Sequence, residues 1–158
     1  MSEDKNIKIA RLIGLEKKTR EARSQDELNF VVANETRQII EFINSFLLLK
    51  TPTGDFHVKA TSDMSTVDRT SPLLNFIENI INSKSNLEIK EIESLETDIV
   101  SKKINVKKPK NIPDNILFIP IHSPQRGLQG YLLLTGNEKF LQNDIELARH
   151  LSVTFGHA

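Results

Sequence analysis

A chain of 158 residues, 38% hydrophobic and 27% charged, is long enough for one domain with a continuous core and a large polar surface. Its 21 Lys and Arg balance 21 Asp and Glu, so net charge gives no pull toward nucleic acid or an anionic membrane, and nucleic acid is not an expected partner. The lack of cysteine removes disulfides, thiolate nucleophiles, cysteine–zinc sites and cysteine-linked chromophores together.

No stretch approaches the roughly 20 apolar residues of a membrane span. The opening MSEDKNIKIARLIGLEKKTR also lacks the apolar centre of a signal peptide. The expectation is a cytoplasmic protein with no membrane span in this chain.

In chain order, residues 4–21 pattern as a helix with Ile9, Leu12 and Ile13 on one stripe and a basic second half. Ser24-Gln25-Asp26-Glu27 is a capping box, a serine oxygen and a glutamate three residues on that satisfy free backbone donors at a helix start. The helix it opens carries Leu28, Val31, Val32, Ile39, Phe42 and Ile43 at spacings of about 3.6. FLLLK (46–50) and FHVKAT (56–61) flank Thr51-Pro52-Thr53-Gly54-Asp55 and predict a β-hairpin. The first strand is apolar on both faces and should be covered. The second should set Phe56, Val58 and Ala60 against His57, Lys59 and Thr61.

Ser71-Pro72 announces a third helix, with serine as cap and proline in the first turn. Its apolar face is Leu73, Leu74, Phe76, Ile77, Ile80 and Ile81. Beyond it, NLEIKEI predicts an edge strand, SLETDIVSK a short helix, and KKINVKKPKNIPD a mobile basic loop. NILFIPI and LQGYLLL then predict two covered strands joined through His122–Gly127. The last helix begins near Leu141, with Leu141, Ile145, Ala148, Leu151 and Phe155 facing one way. Hairpin strands with helices at both ends indicate an α+β layer fold with an antiparallel sheet.

That order resembles the GAF domain in three patterns. NILFIPI is similar to the penultimate GAF strand with its late proline. LQGYLLL is similar to the last strand, and Phe140-Leu141-Gln142-Asn143-Asp144 to the Phe-x-x-x-Asp start of the final helix. The likeness covers residues 25–158. It implies a single domain over 1–158, residues 1–23 forming a helix that can extend outside the core. The implied fold is a GAF-like, PAS-related antiparallel sheet, with the terminal helices on one face and a shorter helix and loops on the other.

A narrower likeness joins Asn34-Glu35-Thr36-Arg37 and Val67-Asp68-Arg69-Thr70-Ser71-Pro72 to a bacterial GAF subgroup. Its members precede membrane-fusion adaptor segments of secretion and efflux systems, which implies a membrane helix after Ala158. The cyclic-nucleotide pattern of some GAF domains is met in part by Asn137, Lys139, Phe140 and Asp144. Glu138 interrupts it, and Ile145 stands where glutamate is usual.

The resemblance implies a non-enzymatic sensory domain that binds an unidentified small molecule and acts through its terminal helices on an attached or partner domain. Its pocket would take His57, Ser62, Arg69 and Phe118, a ring to stack and polar groups to orient. Lysines 107, 108 and 110 form a loop that could attract an anion, against a plain solvated surface as the other reading. Ile9, Leu12, Ile13, Leu151 and Phe155 are the candidate interface of a homodimer, or simply pack on their own sheet. The alternative function is a ligand-free docking or dimerisation module. The four histidines are scattered, and the Glu146–His150 pair alone makes no metal site. No nucleophile elbow, phosphate loop or zinc-protease motif occurs, and no catalytic residue, metal or cofactor is implied.

Overall fold

NILFIPI and LQGYLLL become the two longest strands, because runs that are apolar on both faces need cover on both sides. The computed structural model describes residues 2–62, 70–83 and 89–156. The helices are α1 (Ser2–Glu21), α2 (Gln25–Glu35), α3 (Pro72–Asn82), α4 (Thr97–Ile104) and α5 (Gln142–Gly156). The strands are β1 (Ser45–Lys50), β2 (Phe56–Thr61), β3 (Glu93–Glu96), β4 (Asn115–Ser123) and β5 (Gly127–Gly136). They form one antiparallel sheet in the order β2-β1-β5-β4-β3. The α+β architecture expected from the sequence, an antiparallel sheet with helices at both ends of the chain, is thus present.

Alternation along the inner strands builds two cores from one sheet. Phe46, Leu48, Ile116, Phe118, Tyr131 and Leu133 pack with Leu74, Phe76, Ile77 and Ile80 of α3 and Val100 and Ile104 of α4. Their neighbours Leu47, Leu117, Ile119, Leu132 and Leu134 pack on the other face with Leu15 of α1, Val32 of α2 and Ala148, Leu151 and Phe155 of α5. Each large side chain so buried contributes about 1.5–3 kcal/mol.

Helix starts follow the sequence closely. Ser24 Oγ accepts from Glu27 N–H at 3.1 Å, and Glu27 in turn accepts from Arg23 N–H at 3.2 Å. Ser71 Oγ accepts from Leu74 N–H at 3.5 Å, and Asp144 Oδ2 from Leu141 N–H at 3.0 Å.

The differences lie where local pattern and tertiary demand part. The second helix stops at Glu35 and passes through a single 3₁₀ turn, Thr36–Gln38. Thr36 Oγ1 donates back to Val32 O at 2.7 Å, a bond that competes with the helical ladder. Ile39 and Phe42 are nevertheless buried, so their helical spacing came from an irregular segment crossing the same core.

The edge strand is ESLE rather than NLEIKEI, whose first residues lie outside those described. A polar four-residue stretch serves because β4 needs a partner for its backbone, and it supplies one, Glu93 opposite Phe118 through Glu96 opposite Asn115. In β2 a bulge between Leu47 and Leu48 of the facing strand skips Lys59. Phe56 packs on the α3 side beside Val58, whereas Ala60 joins the opposite core. Leu141 precedes α5 and is 68% exposed, outside the stripe it was expected to join.

The basic loop is also different. Helix α4 runs into it as far as Ile104 and ends at Asn105, which adopts the left-handed conformation with φ 56°. The segment after it is stitched to α4. Thr97 N–H and Oγ1 donate to Asp114 O at 2.7 Å and Pro113 O at 2.6 Å, and Ser101 Oγ donates to Val106 O.

Candidate functional site

The α3 side of the sheet holds Phe118, the ring expected to line a pocket. Its floor is Phe118, Leu133, Leu48 and Tyr131, and its roof is α3 and α4. The Phe56 and Tyr131 rings meet edge to face, centroids 5.2 Å apart. Tyr131 OH donates to Ile89 O at 3.2 Å, tying the start of the β3 approach to the central strand.

Helix α3 also closes the outer edge of β2. Asn82 accepts from Phe56 N–H through Oδ1 and donates to Phe56 O through Nδ2, both at 2.8 Å. Glu78 Oε2 accepts from Val58 N–H at 2.9 Å. Side chains thereby take the place of a sixth strand on an edge that could otherwise template association.

The residues expected to line a pocket are not gathered into one cavity by the described part of the chain. Phe118 is fully buried in the floor. Ser62 is buried as well, and its Oγ accepts from Ser45 N–H at 3.0 Å, so it closes the β1–β2 pair. His57 is exposed and, by strand alternation, lies on the other side of β2 from Phe56 and Val58. Arg69 lies outside the described residues.

The lysine loop is partly neutralised. Lys108 pairs with Asp98 at 2.5 Å, while Lys107 and Lys110 are exposed. The hydrogen bond from Lys108, then its charge, hold Asp98 below its ordinary value of 3.8. The hydrogen bond to Asp98 raises Lys108 above its ordinary 10.5.

Of the expected interface, Leu151 and Phe155 are buried in this chain's own core and Leu12 is half-buried against it. Ile9 and Ile13 are 45% and 62% exposed. Among the described residues, no group of three or more His, Asp or Glu side chains could hold a metal ion. No helix among them is long and apolar enough to cross a membrane.

No protein-family model and no curated protein sequence matches this chain. Solved structures do. A GAF domain from Pseudomonas syringae pv. tomato superposes with a TM-score of 0.65 at 14% identity, covering 98% of this chain and 86% of that one. The GAF domain of a Coxiella burnetii phosphoenolpyruvate-protein phosphotransferase gives 0.63 at 15% identity, covering 96% and 94%. The phycoerythrobilin-bound GAF domain of a cyanobacterial phytochrome gives 0.59 at 14%, covering 94% of each. The fold is that of a GAF domain.

Within this GAF fold, three residues of the partial cyclic-nucleotide pattern make structural contacts. Asp144 caps α5, and Phe140 is buried in the helical-face core beneath Gly136. The carbonyl of Asn137 accepts from Asn115 Nδ2 at 3.3 Å. The sequence reading missed the polar seal made by Glu78 and Asn82. Glu78 and Asn82, spaced i,i+4 on a helix that also carries Asn75 and Asn79, were its only trace.

Proposed function

We propose that this GAF domain is a non-catalytic regulatory module, taking up a small molecule on the α3 side of its sheet and passing the change through the sheet to α1 and α5. The observation that supports this is the double use of each inner strand. Phe118 belongs to one core and its neighbours Leu117 and Ile119 to the other. Close-packed cores resist continuous deformation, so a strand displaced on one face must repack the other. The fold is shared with domains such as the phycoerythrobilin-bound phytochrome neighbour. Without cysteine, this chain would hold any ligand non-covalently or by another linkage.

The test is a thermal-shift screen of nucleotides, amino acids and aromatic acids, with every hit located by amide chemical shifts. Binding on the α3 side should move the signals of Val58, Ile77 and Tyr131 and, through the strands, those of Leu151 and Phe155. A ligand that moves the first group and leaves α5 untouched would overturn the transmission route.

A second reading is favoured by the exposed Ile9 and Ile13, an apolar pair one turn apart on α1. In it the domain docks or dimerises through α1 without a ligand, as the narrower likeness to secretion and efflux adaptors implies. Light scattering would then give a dimer mass that Ile13→Lys converts to a monomer mass. A wild-type monomer at all concentrations would exclude self-association through α1.

A further inference from the structure

The helical face carries a cleft of about 620 Å³ that the proposed function does not use. It opens between α2, the ends of β1 and β5, the β4–β5 turn and the end of α5. Its floor is Leu28, Val32, Leu47, Leu49, Ile121 and Phe155. That volume falls within the roughly 300–1,000 Å³ of small-molecule sites, and the apolar floor is ringed by polar side chains that include Gln25, Ser123, Gln125 and Gln129.

Two further observations give the cleft a chemical preference. Asn29 lies in its wall and is only 5% exposed. The side-chain oxygen of Asn29 accepts from Gln25 Nε2 at 2.7 Å, and among the described residues its Nδ2 donor has no partner. An amide donor in the wall of a cleft can serve an acceptor bound there.

The charged residues of the wall, Arg126 and Lys50, are both cations. Neither makes an ion pair among the described residues, and no carboxylate lines the cleft. Asp26 and Glu27 of the same helix turn are not in the wall. An adjoining cleft of about 450 Å³ shares Gln25 and Leu28 and adds Arg20 and Arg23, again without a carboxylate. Arg20 there is paired with Glu16 at 4.0 Å.

We propose that this cleft binds a small amphipathic monocarboxylate, its apolar body on the leucine floor and its carboxylate taken by Arg126 and the Asn29 amide. A planar guanidinium fork matches a carboxylate better than an ammonium does, which places the main charge contact on Arg126 rather than Lys50. The site lies across the sheet from the α3 face and is a different seat from the proposed sensory one.

The test titrates 3-phenylpropionate and decanoate into the full chain, with 3-phenylpropanamide as the neutral control, and follows amide chemical shifts. Saturable shifts at Leu28, Asn29 and Gln129 are expected. Arg126→Gln, on an exposed turn, should weaken binding about tenfold. Asn29→Leu should abolish it, and the neutral amide should bind at least several-fold more weakly. No saturable shift with either acid would overturn the site. Equal binding of the neutral amide, or indifference to Arg126→Gln, would overturn the anion. Shifts confined to Phe56, Val58 and Tyr131 would move the ligand to the α3 face, which is a different result from failure of both.

Discussion

Gly130 lies where β5 crosses β1, opposite Leu49. A Cβ built on it would stand 2.2 Å from Leu48 O and 2.9 Å from Leu49 Cδ2. The nearer atom is backbone in an inner strand, so the sheet itself would have to move. Gly130→Ala should therefore destabilise by about 1–3 kcal/mol, seen as a lower denaturant midpoint at unchanged slope.

The Asp98–Lys108 pair is a contrasting case, because both groups reach solvent. The lowered pKa of Asp98 makes its share of stability present above pH 3.8 and lost as pH falls through the folded value. For Lys108, raised above 10.5, the share is present below that pH and lost as pH rises through the folded value. Exposed pairs are screened by salt, so the readout is titration rather than melting. Lys108→Gln should return the Asp98 carboxyl, followed by carbon-13 shift against pH, most of the way to 3.8. A carboxyl that stays low would assign the shift to another group.

At the scale of elements, β2 depends on α3 for its outer edge. Asn82→Ala removes both bonds to Phe56 and exposes that N–H and C=O to water, which limits the loss to about 1 kcal/mol. The amide of Phe56 should exchange faster in the variant, while that of Leu48, paired inside the sheet, should slow or quicken only with global stability.

Elements that carry their own signal were legible in the sequence. Ser24, Ser71 and Asp144 mark helix starts by local chemistry, and β4 and β5 are apolar on both faces between polar turns. What was illegible is what depends on distant partners. ESLE is a strand because β4 needs pairing, not because its pattern alternates. Ile39 and Phe42 kept helical spacing in a segment that is not α-helical. The Lys59 bulge reversed Ala60 through register alone. The helical-face cleft is assembled from residues 25–32, 47–50, 121–129 and 155–156, four segments whose meeting no local pattern records. Phe118, named as a pocket ring, lies buried on the α3 side, and a ring at the centre of a sheet reads alike as pocket wall and as core.

For the molecule as a whole, the consequence of one sheet serving two cores is that neither face should unfold alone. Phe118 and Leu117 are adjacent in β4, fully buried, and point into opposite cores. Phe118→Ala leaves a cavity on the α3 side costing about 3–5 kcal/mol, and Leu117→Ala one on the helical side costing about 2–5 kcal/mol. If the strands couple the layers, either substitution lowers a single cooperative transition, by about 2–4 °C for each kcal/mol at this chain length. Hydrogen exchange separates this from two loosely joined layers. In Phe118→Ala the amides of α5, including that of Leu151, should lose protection by the full drop in global stability, although α5 touches the other face. Amides of α5 that keep wild-type protection while those of α3 open would mean that the layers melt independently. The same result would remove the physical basis for a signal crossing the sheet, since a strand that does not carry a cavity's effect would not carry a ligand's.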